Sequence, residues 1–138
     1  MLKIKLFVHD IELGELTEID RGYVFTANKL NVSKAQKTYP IEMRRFSLPV
    51  GVALYKDVPP IFDEFLEYSL RGDLVELAGI NSEDTELERL YKLASLDMHD
   101  LVFNIKQGWK FRDKWFLSFV SFLLYFIIQL NFYLLYYI

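Results

Sequence analysis

A chain of 138 residues with 16 Lys+Arg against 19 Asp+Glu and no cysteine has room for one modest domain, and it excludes a disulfide framework or a cysteine-ligated metal site. The averages hide a division: residues 115–138 hold 20 apolar side chains and no charge, residues 1–105 carry 12 basic and 18 acidic groups, and residues 106–114 carry four basic and one acidic. An acidic body offers no clustered Lys/Arg for direct contact with nucleic acid, and the absence of a signal-peptide-like apolar run before Asp10 and Glu12, with the absence of cysteine, predicts a cytoplasmic body.

Leu2, Ile4, Leu6 and Val8 alternate with Lys3, Lys5 and Phe7, the period-2 pattern of a strand with one face on a core and the other in water. His9-Asp10 reads as a tight turn, residues 11–18 as a second strand, and residues 22–27 as a third after the Asp20-Arg21-Gly22 turn. These make a meander of short antiparallel strands. Residues 28–45 are polar and carry Pro40, so loop with a turn of helix is expected there. Residues 46–54 offer another extended run, confined by Pro49 to a sheet edge or a strand end because proline has no N–H for the ladder.

Asp57-Val58-Pro59-Pro60 looks like a helix entrance, since proline is tolerated in the first turn. Ile61, Phe62, Phe65, Leu66 and Leu70 follow at helical spacing; Gly72 interrupts the pattern, and Leu74, Val75, Leu77 and Ala78 resume it up to Gly79, a helix-end residue. Ser82 before Glu83, Asp84 and Glu86 fits an N-cap followed by acids at the positive end of the dipole, with Leu87, Leu90, Leu93 and Ala94 as the apolar stripe. Residues 101–105 close the body as a last strand. Strands first and helices after predict an α+β body over residues 1–108, a small antiparallel sheet with two to three helices, followed by a hydrophobic C-terminal helix within residues 109–138.

The body shows no catalytic constellation. His9 and His99 are the only histidines, and neither has a partner at metal-ligand spacing. Asp63, Glu64 and Glu67 stand just inside a helix start, where dipole complementarity accounts for them without acid–base chemistry. Ser33, Ser47 and Ser69 lack a Gly-x-Ser-x-Gly frame, and the six glycines never form Gly-x-Gly. No catalytic residue, cofactor or metal site is expected.

Several segments, in order, resemble the amino-terminal subdomain of the HipA family, the serine/threonine kinase toxins of bacterial type II toxin–antitoxin systems. After the first strand come Leu13-Gly14-Glu15-Leu16, Tyr23-Val24-Phe25, and Phe46-Ser47-Leu48-Pro49-Val50, similar to the family's Leu-Ser-Leu-Pro-Leu. Val58-Pro59-Pro60-Ile61-Phe62-Asp63-Glu64-Phe65-Leu66 is similar to its Val-Pro-Pro-Phe-Phe-Asp-Asn-Leu-Leu, and Leu90-x-x-Leu93-Ala94-Ser95-Leu96-Asp97 to its Leu-x-x-Leu-Gly-x-Asp. The chain departs where the family continues Leu-Pro-Glu-Gly-Trp, having Leu66-Glu67-Tyr68-Ser69-Leu70, and it lacks the glycine expected near Asp100-Leu101-Val102. The family's kinase core follows this subdomain and needs some hundreds of residues, whereas 33 residues follow Ile105; the expectation is a chain that is not itself a kinase. What the resemblance implies is a non-catalytic interaction module, HipS-like in its antitoxin role, that docks on a HipA-like kinase core. Strand edges and the candidate partner-binding residues Val58, Pro59, Pro60, Ile61, Phe62, Phe65 and Leu70 offer the contact surface. The plainer reading of most of these apolar positions is burial in the domain's own core.

Residues 115–138 make about 36 Å of helix, enough to span about 30 Å of hydrocarbon. Trp115, Phe119, Phe122, Phe126, Leu130 and Leu134 are the candidate membrane-contacting residues. Lys106, Lys110, Arg112 and Lys114 precede the segment, keeping the body cytoplasmic by the positive-inside rule, and Trp109 and Trp115 stand where an interfacial belt belongs. Three origins fit this segment: a membrane anchor in contact with lipid, a degenerate tail left by frameshift or truncation of a HipA gene, or a helix buried in a soluble structure. If the body has lost its toxin-system role, the anchored chain reads instead as an accessory or structural protein.

Overall fold

A computed structural model of the chain describes residues 2–98, 101–108 and 113–137, the last from residue 119 onward with side chains. Five strands, β1 (Lys3–Val8), β2 (Ile11–Ile19), β3 (Gly22–Ala27), β4 (Val52–Tyr55) and β5 (Phe103–Gln107), form one sheet in the order β4-β3-β2-β1-β5. Every pair is antiparallel. The alternation in β1 works as the sequence predicts, with Ile4, Leu6 and Val8 fully buried. Lys3 and Lys5 stand on the other face, paired with Glu15 at 3.5 Å and Glu12 at 3.7 Å.

The register of β1 with β2 shifts between Leu6 and Phe7, where Leu6 faces Gly14 and Phe7 faces Glu12. The additional residue, Leu13, restores inward parity, so that Ile11, Leu13 and Leu16 are all buried although their spacing is irregular. Gly14 is required there: a Cβ would lie 2.5 Å from the Phe25 ring and 2.6 Å from the Thr26 carbonyl oxygen.

Helices cover the inner face. α1 (Lys29–Thr38) packs on β2 through Ala35, and its N-cap Asn28 accepts a hydrogen bond from the Asn31 N–H at 3.1 Å. α2 (Pro40–Met43) buries Met43. This corrects the loop expected over residues 28–45. A helix that buries a single alanine carries almost no apolar stripe, so its signal lay in the Asn28 cap. Only the end of the 46–54 run becomes strand, because Pro49 offers no donor and Gly51 adopts φ +80°.

A 3₁₀ turn at Pro60–Phe62 leads into α3 (Asp63–Tyr68), then α4 (Gly72–Ala78), which Gly79 ends in the left-handed conformation at φ 69°. α5 (Glu86–Leu93) seats Leu87, Leu90 and Leu93 on β1, β5 and α3; burying each contributes about 1.5–3 kcal/mol. Its N-cap is Thr85, which accepts from the Glu88 N–H at 3.2 Å, and not Ser82. The fold is α+β as predicted, with five helices in the body where two to three were expected. α6 (Asp113–Tyr137) is the hydrophobic C-terminal helix.

Candidate functional site

The buried polar side chains of the described residues are Ser69 and Asn104, and both serve the fold. Ser69 Oγ donates to the Leu66 carbonyl at 2.6 Å at the end of α3, and Asn104 Nδ2 donates to the His9 carbonyl at 3.1 Å. His9 sits in the β1–β2 turn with its ring 4.5 Å from that of Tyr39; His99 lies outside the described residues. Glu64 accepts from the Tyr68 hydroxyl at 2.9 Å, a bond that raises the phenol's pKa above 10, and meets Arg45 at 3.5 Å. Asp63 and Glu67 are exposed, as are Ser33 and Ser47. Among the described residues no three His, Asp or Glu side chains group as metal ligands.

The described body instead offers a surface built around its edge strand. Residues 45–49 and 59–61 wall a pocket of about 390 Å³ floored by Phe25 and Tyr55. Two of the segments that carry the family resemblance, Phe46-Ser47-Leu48-Pro49 and Pro59-Pro60-Ile61, are therefore neighbours in space. Phe46 is fixed edge-on to Phe103 at 4.7 Å, and the Arg45 guanidinium lies 5.5 Å from the Phe46 ring centroid. On the opposite side of β4, Val52 and Leu54 face outward with 65% and 73% of their surface exposed, opposite Thr26 and Val24 of β3. The outer edge of β4 has no partner strand among the described residues. It also carries no charged residue, unlike β5 at the other edge, which has Lys106.

Burial divides the seven candidate partner-binding residues. Val58, Pro59, Phe62 and Phe65 are buried, Ile61 is half-buried, and Pro60 and Leu70 are exposed. Phe62 packs against Phe25 with ring centroids 6.1 Å apart, so this helical stripe faces the sheet. The accessible part reduces to Pro60, Ile61 and Leu70. Sequence reading missed the outward pair Val52 and Leu54; the signal was an uncharged strand beside a proline-marked edge.

α6 supplies the second feature. Phe119–Tyr137 has a mean hydropathy of 1.8, long and apolar enough to cross a membrane, with none of its residues buried. The candidate residues Phe119, Phe122, Phe126, Leu130 and Leu134 are all exposed, so the described body does not bury this helix. The side chain of Trp115 lies outside the described residues, as do those of Trp109, Lys110, Arg112 and Lys114. Lys106, at the start of the basic stretch, rests its ammonium 4.7 Å from the Phe7 ring centroid. Comparison of the sequence with known protein families finds no family model that matches, and comparison with curated proteins finds no match.

Proposed function

We propose that the chain is a non-catalytic docking module, similar to the amino-terminal subdomain of HipA-type kinases, which binds a HipA-like kinase core through the β4 edge and the adjoining pocket and acts on it in the manner of an antitoxin. The observation that carries this reading is the meeting of residues 45–49 and 59–61 at one pocket beside an uncharged, unpartnered edge strand. A strand edge with apolar side chains at alternate positions is a standard way to receive another chain, main-chain hydrogen bonds giving affinity and side-chain pockets specificity. The resemblance itself rests on short segments and their order along the chain.

Within this reading α6 anchors the body to a membrane, and the basic residues 106–114 hold the body on the cytoplasmic side. The exposed apolar helix also favours a second reading, a membrane-anchored accessory or structural protein without a kinase partner. The strong Phe, Leu, Ile, Tyr bias of residues 115–138 fits a third, the remnant of a truncated HipA gene.

Co-expression separates these. The full chain, tagged and extracted in mild detergent, is expected to co-purify with a HipA-type kinase core encoded in a neighbouring reading frame and to relieve its toxicity. Separate elution of the two proteins would sink the docking reading and leave the accessory one; the absence of any such neighbouring frame points the same way.

A further inference from the structure

The polar residues of α6 are not scattered. At about 100° per residue, Ser121, Tyr125, Gln129, Tyr133 and Tyr136 fall within an arc of about 120°. Leu123, Ile127 and Leu134 occupy the opposite side, where the one polar residue is Asn131. On the polar side, Gln129, Phe132, Tyr133 and Tyr136, flanked by Phe126, Leu130 and Tyr137, line an open hollow of about 420 Å³, large enough to receive side chains of a facing helix. No described residue of the body covers this face.

In a bilayer such a stripe is stabilised by a facing helix. Lipid tails give apolar helices no reason to associate, but a Gln amide or a Tyr hydroxyl left in hydrocarbon lacks hydrogen-bond partners, and a facing helix supplies them. The chemistry of the stripe selects the occupant. Ser, Tyr and Gln side chains each donate and accept, so each is complementary to its own copy, and residues 115–138 contain no charge that calls for an oppositely charged partner. Copies inserted with the same basic residues on the same side are parallel, which brings Gln129 opposite Gln129 and Ser121 opposite Ser121 across a two-fold axis. We infer that α6 is a self-association element, pairing two copies of this chain in parallel through the Ser121, Tyr125, Gln129, Tyr133 and Tyr136 face. This rests on the membrane reading of α6. Its functional consequence is a pair of bodies presented side by side on one membrane surface, each with its β4 edge available to a partner.

The cysteine-free chain makes the test direct. Full-length single-cysteine variants are placed in membranes, oxidised, and scored for disulfide-linked dimer. Ser121→Cys, Tyr125→Cys and Phe132→Cys sample the stripe; Leu123→Cys, Ile127→Cys and Leu134→Cys sample the opposite side. Dimer is expected to peak at the first three and fall to background at the others. In the Ser121→Cys background, Gln129→Leu is expected to lower the dimer yield roughly three- to tenfold, while Asn131→Leu leaves it unchanged. Carbonate extraction of the same membranes reads the anchor separately. Release of the chain by carbonate overturns the membrane reading and the pairing with it. A retained chain that cross-links uniformly around the helix, at the opposite side, only to a different protein, or not at all overturns self-association alone.

Discussion

Asn104 and His9, 95 positions apart in the chain, are joined by a hydrogen bond of 3.1 Å from the Asn104 amide to the His9 carbonyl. His9 is the one non-glycine residue with positive φ, 49°, among the described residues. The last strand thus holds the first turn in the left-handed region, aided by the His9 N–H, which donates to the Val102 carbonyl at 2.8 Å. Because β5 pairs with β1 alone among the described strands, the Asn104 bond also ties the end of the body's chain to its beginning.

Removing that amide leaves the His9 carbonyl without its side-chain donor at a part-buried site. Asn104→Ala is expected to destabilise the body by about 0.5–1.5 kcal/mol, read as a lowered urea midpoint in mild detergent. At His9 itself the backbone decides. His9→Asn is expected to fall within about 0.5 kcal/mol of the parent, because Asn tolerates the left-handed region, whereas His9→Val is expected to cost about 1–2 kcal/mol. Equal losses for Asn and Val would assign the position to the Tyr39 ring contact instead.

Gly14 and Phe25 give a second test of the sheet. The missing Cβ leaves room for the Phe25 ring, which in turn receives Phe62. Gly14→Ala is therefore an overpacking change, expected to cost about 1–3 kcal/mol. Phe25→Leu added to it should restore part of that loss but not all, because the Thr26 carbonyl oxygen, 2.6 Å from the same Cβ, is backbone and does not shorten. Full restoration would show that only the ring opposed the methyl group.

These relationships explain which parts of the fold were legible in the sequence. β1 could be read because Ile4, Leu6 and Val8 alternate without interruption and all reach the core. α1 could not, because a helix that offers only Ala35 to the interior has a polar sequence like that of a loop. The start of α5 is ambiguous in the sequence because Ser82 and Thr85 are both good caps, three residues apart. The choice falls to Asp84, which accepts from the Asn81 N–H at 2.8 Å and Lys92 Nζ at 2.6 Å and so makes residues 81–84 a turn. At the candidate site, Val58, Phe62 and Phe65 have the same local pattern whether they face a partner or the sheet. Phe25, on a strand far away in sequence, settles it.

The Asp84–Lys92 pair makes a pH prediction. The Lys92 ammonium, then the Asn81 N–H, hold the Asp84 carboxyl below its ordinary value of 3.8. A carboxyl depressed in the folded state contributes its stability above the unfolded pKa and loses it as pH falls through the folded one. The urea midpoint is therefore expected to decline as pH drops below about 4, and Asp84→Asn should flatten that decline while lowering the midpoint at pH 7. A variant whose midpoint follows the parent's at every pH would remove Asp84 from the account.

The docking surface is tested by separating exposure from packing. Leu54→Lys changes a side chain 73% exposed on the outer face of β4, so stability should move by no more than about 0.5 kcal/mol while capture of the kinase core is lost. Phe62→Ala, at a fully buried position, should cost about 3–5 kcal/mol. Kinase capture by Leu54→Lys at the parent level, with the fold intact, would move the contact away from the β4 edge.

The strength of the membrane anchor can be argued from its composition. The 14 Phe, Leu and Ile residues among positions 115–138 contribute roughly 4–8 kcal/mol in favour of insertion, whereas one Lys at the helix centre opposes it by about 2.5–3.5 kcal/mol and removes the side chain it replaces. Ile127→Lys alone should therefore weaken insertion while leaving it favourable, so that most of the chain stays in the carbonate-washed membrane. Adding Leu123→Lys should bring insertion close to balance, because two lysines oppose it by about 5–7 kcal/mol, roughly the size of the apolar gain that remains, and divide the chain between membrane and supernatant. Both positions lie on the side opposite the proposed pairing face, so the loss reads the interaction with lipid and not that with a second copy. Full retention of the doubly substituted chain would mean that something other than the apolar length of α6 holds it at the membrane.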